Sequence, residues 1–165
     1  MGSGVGMRGA VVTRLALMLV LASAALLPAC GFGADQPTGR LGETISAGDY
    51  QLTVTNFENP AERPDRFTSP KAGNRFVKVH VKVANNGPHH LPVAANYFAL
   101  KDSAGIENPA LSGGSSDWAL RPTSLGPGQN VEADLWFEMA ANLSPTELVF
   151  APQIVGWRTR IVVKL

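Results

Sequence analysis

A chain of 165 residues, 45% of them hydrophobic and 16% charged, has the size of one domain with its own core. Its formal net charge of +1 gives no electrostatic case for nucleic acid or for a polybasic membrane patch. A single cysteine excludes an intramolecular disulfide.

The first element is a leader. Arg8 and Arg14 occur without an acid, and residues 15–27 form an apolar run broken only by Ser23. Thirteen residues are too few to cross a bilayer as a helix, which takes roughly 20. A positive start, a short apolar stretch and a small residue before the cut make a secretory signal, with cleavage expected between Ala29 and Cys30. Met1 and Met7 are both suitable starts, because residues 7–29 are a complete leader on their own. The stretch Leu27-Pro28-Ala29-Cys30 resembles the lipobox of bacterial lipoproteins. The resemblance implies lipidation of the Cys30 thiol by a diacylglyceryl group, and a chain held on the extracytoplasmic side of the cell membrane. Two acyl chains matter, because one gives only marginal, reversible binding. An ordinary signal peptide with an incidental cysteine is the alternative. Gly31 follows the cysteine, so the acidic retention signal of some two-membrane bacteria is missing, and position 6 lacks the Ser or Thr of a myristoylation signal.

Removing residues 1–29 takes away two arginines and no acid, so the mature chain has 136 residues and a formal charge of −1. Residues 30–40 are small and polar, with Pro37, and read as the lipidated N-terminus and a short tether. From 41 to 165 the signals are those of strands. Residues 50–55 alternate apolar and polar after the turn signal Gly48-Asp49. Residues 59–73 hold three prolines and no period, and read as an exposed loop. In residues 75–83 the valines at 77, 79, 81 and 83 share one face, with Phe76, Lys78, His80 and Lys82 on the other. Asn85-Asn86-Gly87-Pro88 ends that strand. Residues 97–101 follow, with Phe98 and Leu100 inward, and the loop Asp102-Ser103-Ala104-Gly105 closes a hairpin. Residues 108–124 are irregular. In residues 131–139 Val131, Ala133, Leu135, Phe137 and Met139 face inward, and Glu132, Asp134, Trp136 and Glu138 outward. Residues 147–150 and 158–165 supply the last strands. The period and punctuation predict an all-β chain, an antiparallel β-sandwich of seven to eight strands behind a cleaved signal peptide.

The order of these motifs carries a second resemblance. Gly48-Asp49-Tyr50-Gln51-Leu52-Thr53-Val54, Arg75-Phe76-Val77-Lys78-Val79-His80-Val81 and Asn85-Asn86-Gly87 form its first half. Phe98-Ala99-Leu100-Lys101-Asp102, Leu125-Gly126-Pro127-Gly128 and Leu135-Trp136-Phe137-Glu138 complete it. Together they resemble a family of immunoglobulin-like domains of unknown function, common in exported lipoproteins of Gram-positive and actinobacterial cells. The resemblance implies an immunoglobulin-like sandwich and supplies no catalytic residue and no cofactor. Fold alone does not license function.

Few residues invite chemistry. His80, His89 and His90 are the whole histidine set. Lys78 and Lys82 flank His80 on its face and repel a cation, so no metal is expected. The Ser112–Ser116 run lacks Gly-x-Ser-x-Gly, and Glu62 with Asp65 lacks a calcium-loop pattern. The cationic row Lys78, His80, Lys82 and the anionic row Glu132, Asp134, Glu138 are expected to pair across neighbouring strands, or else to form a charged face for a partner. Trp118 and Trp136 are the candidate ligand or partner contacts, with Trp157 a third aromatic. The expected function is non-enzymatic. It is a lipid-anchored binding module for another envelope protein or a wall component, with a small-ligand or metal carrier serving a transporter as the alternative.

Overall fold

Val77, Val79, Val81 and Val83 form the buried row of the longest strand, Asn74–Asn85, and the two large sheets close over that row. In the computed structural model, residues 36–112, 117, 119–152 and 159–165 are described. The chain divides into two units, Met1–Phe32 and Gly33–Leu165, and the described residues fall in the second. The leader, Ala29, Cys30, Trp118 and Trp157 therefore lie outside the described residues.

Eleven strands occur among the described residues: β1 (Thr38–Arg40), β2 (Thr44–Ala47), β3 (Tyr50–Glu58), β4 (Asn74–Asn85), β5 (Leu91–Val93), β6 (Phe98–Asp102), β7 (Glu107–Pro109), β8 (Thr123–Leu125), β9 (Asn130–Ala140), β10 (Pro145–Phe150) and β11 (Ile161–Lys164). One sheet has the order β2-β3-β4-β9 and is antiparallel throughout. The second has the order β1-β11-β10-β6-β7, antiparallel except for the β1–β11 pair. β5 and β8 form a separate two-stranded ribbon.

The core is the sum of the inward rows that alternation predicts. Leu52, Val54, Leu135 and Phe137 from the first sheet meet Phe98, Leu100, Leu148, Phe150 and Ile161 from the second. Tyr50 stands edge-on to Phe150, with ring centroids 5.2 Å apart, and Phe98 lies 4.7 Å from the same ring. The Tyr50 hydroxyl donates to the Pro92 carbonyl at 2.7 Å and so ties the ribbon to the core. Burial, with Tyr97 nearby, pushes that hydroxyl up to about 12.

The β-sandwich matches the expected class, but its strands outnumber the seven to eight expected. The additional ones are short: β1, β5, β7 and β8 have three residues each, too few to show a period. The sheet also starts before residue 41. β1 falls within the expected tether, and its partner decides its state, because Thr38, Gly39 and Arg40 lie in register with Val162, Val163 and Lys164. Gly39 packs closely there: a Cβ would sit 2.6 Å from Ile45 Cδ1, so that side chain would have to shift. The irregular segment after β7 guards an edge. Ala110 bridges Phe137, Ala119 bridges Asp134, and the Leu111 N–H donates to the Trp136 carbonyl at 2.7 Å, so β9 is not left open along this stretch.

The β6–β7 turn hangs on Asp102, which is 3% exposed. One carboxylate oxygen accepts the N–H groups of Ala104 (2.9 Å) and Ile106 (3.0 Å), and the other accepts the Asn108 amide (3.1 Å). Burial, the largest influence, pushes this carboxyl up. The bonds from Ile106, Asn108, Ala104 and Gly105 together outweigh it and hold the group below its ordinary 3.8. Glu138 is likewise held below 4.5, first by the Asn74 amide and then by the Lys71 N–H. A depressed folded-state pKa means that the native state binds fewer protons. Its stabilisation is present above the unfolded value and is lost as pH falls through the folded one. Melting temperature is expected to hold near neutrality and to drop below about pH 4, measured by calorimetry from about pH 7 to about pH 2. A flat profile through that window would contradict the assignment.

Candidate functional site

The outer face of the β2-β3-β4-β9 sheet is built from the residues between the core positions. β4 and β9 are paired from Asn74 opposite Ala140 to Ala84 opposite Asn130, so the two charged rows are neighbours. His80 stands opposite Asp134, with Nδ1 2.6 Å from Oδ1. Lys82 stands opposite Glu132, with Nζ 2.9 Å from Oε1. The Lys82 hydrogen bond holds the Glu132 carboxyl below its usual range.

The third member of the basic row breaks the expected pattern. Lys78 lies opposite Trp136 in β9, and its ion pair is with Glu58 of β3 at 2.7 Å. That partner comes from a register shift between Val54 and Asn56. Before the shift, Leu52 and Val54 point inward; after it, Phe57 takes the inward place, while Asn56 and Glu58 turn outward beside His80 and Lys78. The hydrogen bond from Lys78 to Glu58 holds the ammonium above its ordinary range, against the opposing pull of its partial burial. Glu138 does not join the ladder either, because it accepts the Lys71 N–H and the Asn74 amide, both at 2.8 Å.

Together Asn56, Phe57, Glu58, Lys78, His80 and Asp134 line an open depression of about 350 Å³. Its described lining offers acids, bases and an amide. The His80–Asp134 pair has the form of an oriented base. His89 and His90 lie exposed beyond the end of β4. Among the described residues, no three of His, Cys, Asp and Glu are gathered in a group that could hold a metal ion. Asp65 satisfies its own loop through the N–H groups of Phe67 and Thr68, both at 2.8 Å.

Trp136 lies on the outer face, as its parity requires, yet it is only 6% exposed. The 59–73 loop folds over it, and its Nε1 donates to the Glu62 carbonyl at 3.2 Å. Phe76, also of outward parity, is 2% exposed. The loop thus gives this end of the sheet a second small core, and the exposure inferred for Trp136 is corrected. Trp118 lies outside the described residues. Sequence reasoning missed Asn56 and Glu58, because a bulge has no signature in the alternation that precedes it.

A family model described as a domain of unknown function (DUF4352) matches residues 39–160. The chain belongs to this family. No curated protein matches it. Solved structures share the DUF4352 chain's fold at low identity. The secreted protein MPT63 of Mycobacterium tuberculosis is 15% identical with a TM-score of 0.63, over 80% of this chain and 99% of that one. The yjhA protein of Bacillus subtilis is 19% identical with a TM-score of 0.59, over 77% and 98%. The ycdA protein of Bacillus subtilis, a candidate lipoprotein, is 19% identical with a TM-score of 0.62, over 74% of this chain and 38% of its own length. At these identities the likeness is one of fold. Among the described residues, no helix is long and apolar enough to cross a membrane.

Proposed function

We propose that this chain is an exported lipoprotein, held at the membrane through a diacylglyceryl group on Cys30, whose sandwich is a non-enzymatic binding module for another envelope protein or a wall component. The observation that supports the binding role is the depression on the outer sheet face, where the pairs Lys78–Glu58 and His80–Asp134 hold polar groups in fixed directions. Polar groups held in fixed directions give an interface specificity through electrostatic complementarity. The leader supports export, and a secreted protein and a candidate lipoprotein are among the chains that share the sandwich. Trp118 remains a proposed contact.

Two measurements test the reading. Cys30→Ala is expected to block lipoprotein processing and move the chain from the membrane to the soluble fraction; normal processing with full membrane retention would overturn the anchor. Capture from native envelopes with the membrane-anchored chain is expected to recover a specific component. Recovery should fall at least about tenfold with Asn56→Arg, which adds a positive charge to the depression. Equal recovery would move binding away from this face, and no recovery would remove the module reading.

A further inference from the structure

The two strands that flank β3 do not cover it equally. β4 pairs with it from Tyr50 to Glu58, whereas β2 pairs only from Tyr50 to Thr53. The Val54 carbonyl is taken by the Gly42 N–H at 2.8 Å. Beyond it, on the side away from β4, no strand among the described residues pairs with residues 55–58. Thr55 and Asn56 are exposed there, and the open length borders the depression lined by Asn56, Glu58, Lys78 and His80.

We infer that residues 55–58 are a docking edge that takes an extended segment of a partner polypeptide carrying a basic side chain. The inference rests on the reading of the domain as a binding module and adds the place and the chemistry of its partner. A strand added to this edge would lie about 4.8 Å from β3, with every second side chain on the outer face. Two such side chains would stand beside Asn56 and Glu58. Glu58 is matched on one side only: Lys78 lies 2.7 Å away towards β4, and the carboxylate side chain keeps 43% exposure. A Lys or Arg on the incoming strand places this acid between two bases, and an incoming acid is repelled by it. The amide of Asn56 accepts either a donor or an acceptor.

The same features explain why the edge does not pair with every strand it meets. A bulge and a charge are the devices that blunt open sheet edges. Here the bulge shortens the available length, and Glu58 sets the sign of the charge that can approach. Selectivity by repulsion then accompanies the attraction.

The test uses the full-length, membrane-anchored chain with the photoreactive residue p-benzoylphenylalanine in place of Asn56. A second chain carries the probe in place of Ile106, which is 58% exposed at the β6–β7 turn. The expected product is a crosslink at position 56 whose captured peptide, read by mass spectrometry, has Lys or Arg within two residues of the attachment point. Combining Glu58→Lys with Lys78→Glu keeps the cross-strand pair and reverses the charge at the edge. It is expected to lower the yield at least about tenfold. Glu58→Gln, the milder change, is expected to lower it about threefold. Captured peptides without a base, or yields that ignore both variants, would overturn the inference. Products from the Ile106 position alone would leave the module reading standing and place its contact elsewhere. Products from neither position would remove both.

Discussion

Val79→Asp is expected to abolish the native fold. Val79 is fully buried at the centre of β4, opposite Phe57 of β3 and Leu135 of β9. A carboxylate there has no hydrogen-bond donor side chain among those cross-strand partners, and burying an unpaired ion costs several kcal/mol. Domains of this kind have about 5–15 kcal/mol in total. Slipping the strand by one residue would not relieve the charge, because it would turn Lys78, His80 and Lys82 into the core. The variant should lose its near-ultraviolet dichroism and its resistance to protease, while Lys82→Ala on the opposite face keeps both. A folded Val79→Asp protein would refute the inward row on which the whole sandwich is built.

The second large effect is expected at Asn85, which is 1% exposed at the end of the same strand. Its amide donates to the carbonyls of His89 (2.6 Å) and Leu125 (2.9 Å), and its oxygen accepts the Gly87 N–H at 2.9 Å. One side chain thus closes the turn after β4 and pins it to β8. Asn85→Ala leaves two acceptors and a donor without their partner, at a cost of about 3 kcal/mol and a fall in melting temperature of about 10 °C. Asn85→Asp keeps the acceptor for Gly87 but sets carboxylate oxygen against two carbonyls, so it should fail to rescue. Full stability of the aspartate variant would show that the two donated bonds contribute little.

These two residues also mark what the sequence makes legible. Val79 sits in a run whose period is unbroken, and alternation alone assigns its face. β4 and β9 are readable for that reason, and two of the expected cross-strand pairs, His80–Asp134 and Lys82–Glu132, form between them. Asn85 looked like turn chemistry, which it is, but its burial depends on β8, a strand of three residues with no period of its own. Glu58 was hidden by the register shift before Asn56, since a bulge arises from the pairing of two strands and is not encoded in either alone. Trp136 shows the converse limit. Parity gave its side of the sheet correctly, and the long loop that covers it could not be placed from a segment rich in proline. The proposed anchor rests on a linear motif, Leu27-Pro28-Ala29-Cys30, which is read without tertiary context.

The parallel pairing of β1 with β11 has a mechanical meaning. Thr38–Arg40 is the first strand of the sandwich and Ile161–Lys164 the last, so the two ends of the domain are stitched to each other. The seam is fastened at both limits, by the Val162 N–H on the Pro37 carbonyl and the Leu41 N–H on the Lys164 carbonyl, each at 3.0 Å. Tension applied along the axis of β1 loads these bonds together, in shear, instead of opening them one after another. A domain leashed at its N-terminus and gripped by a partner on its far sheet would carry that load across this seam before its core felt it.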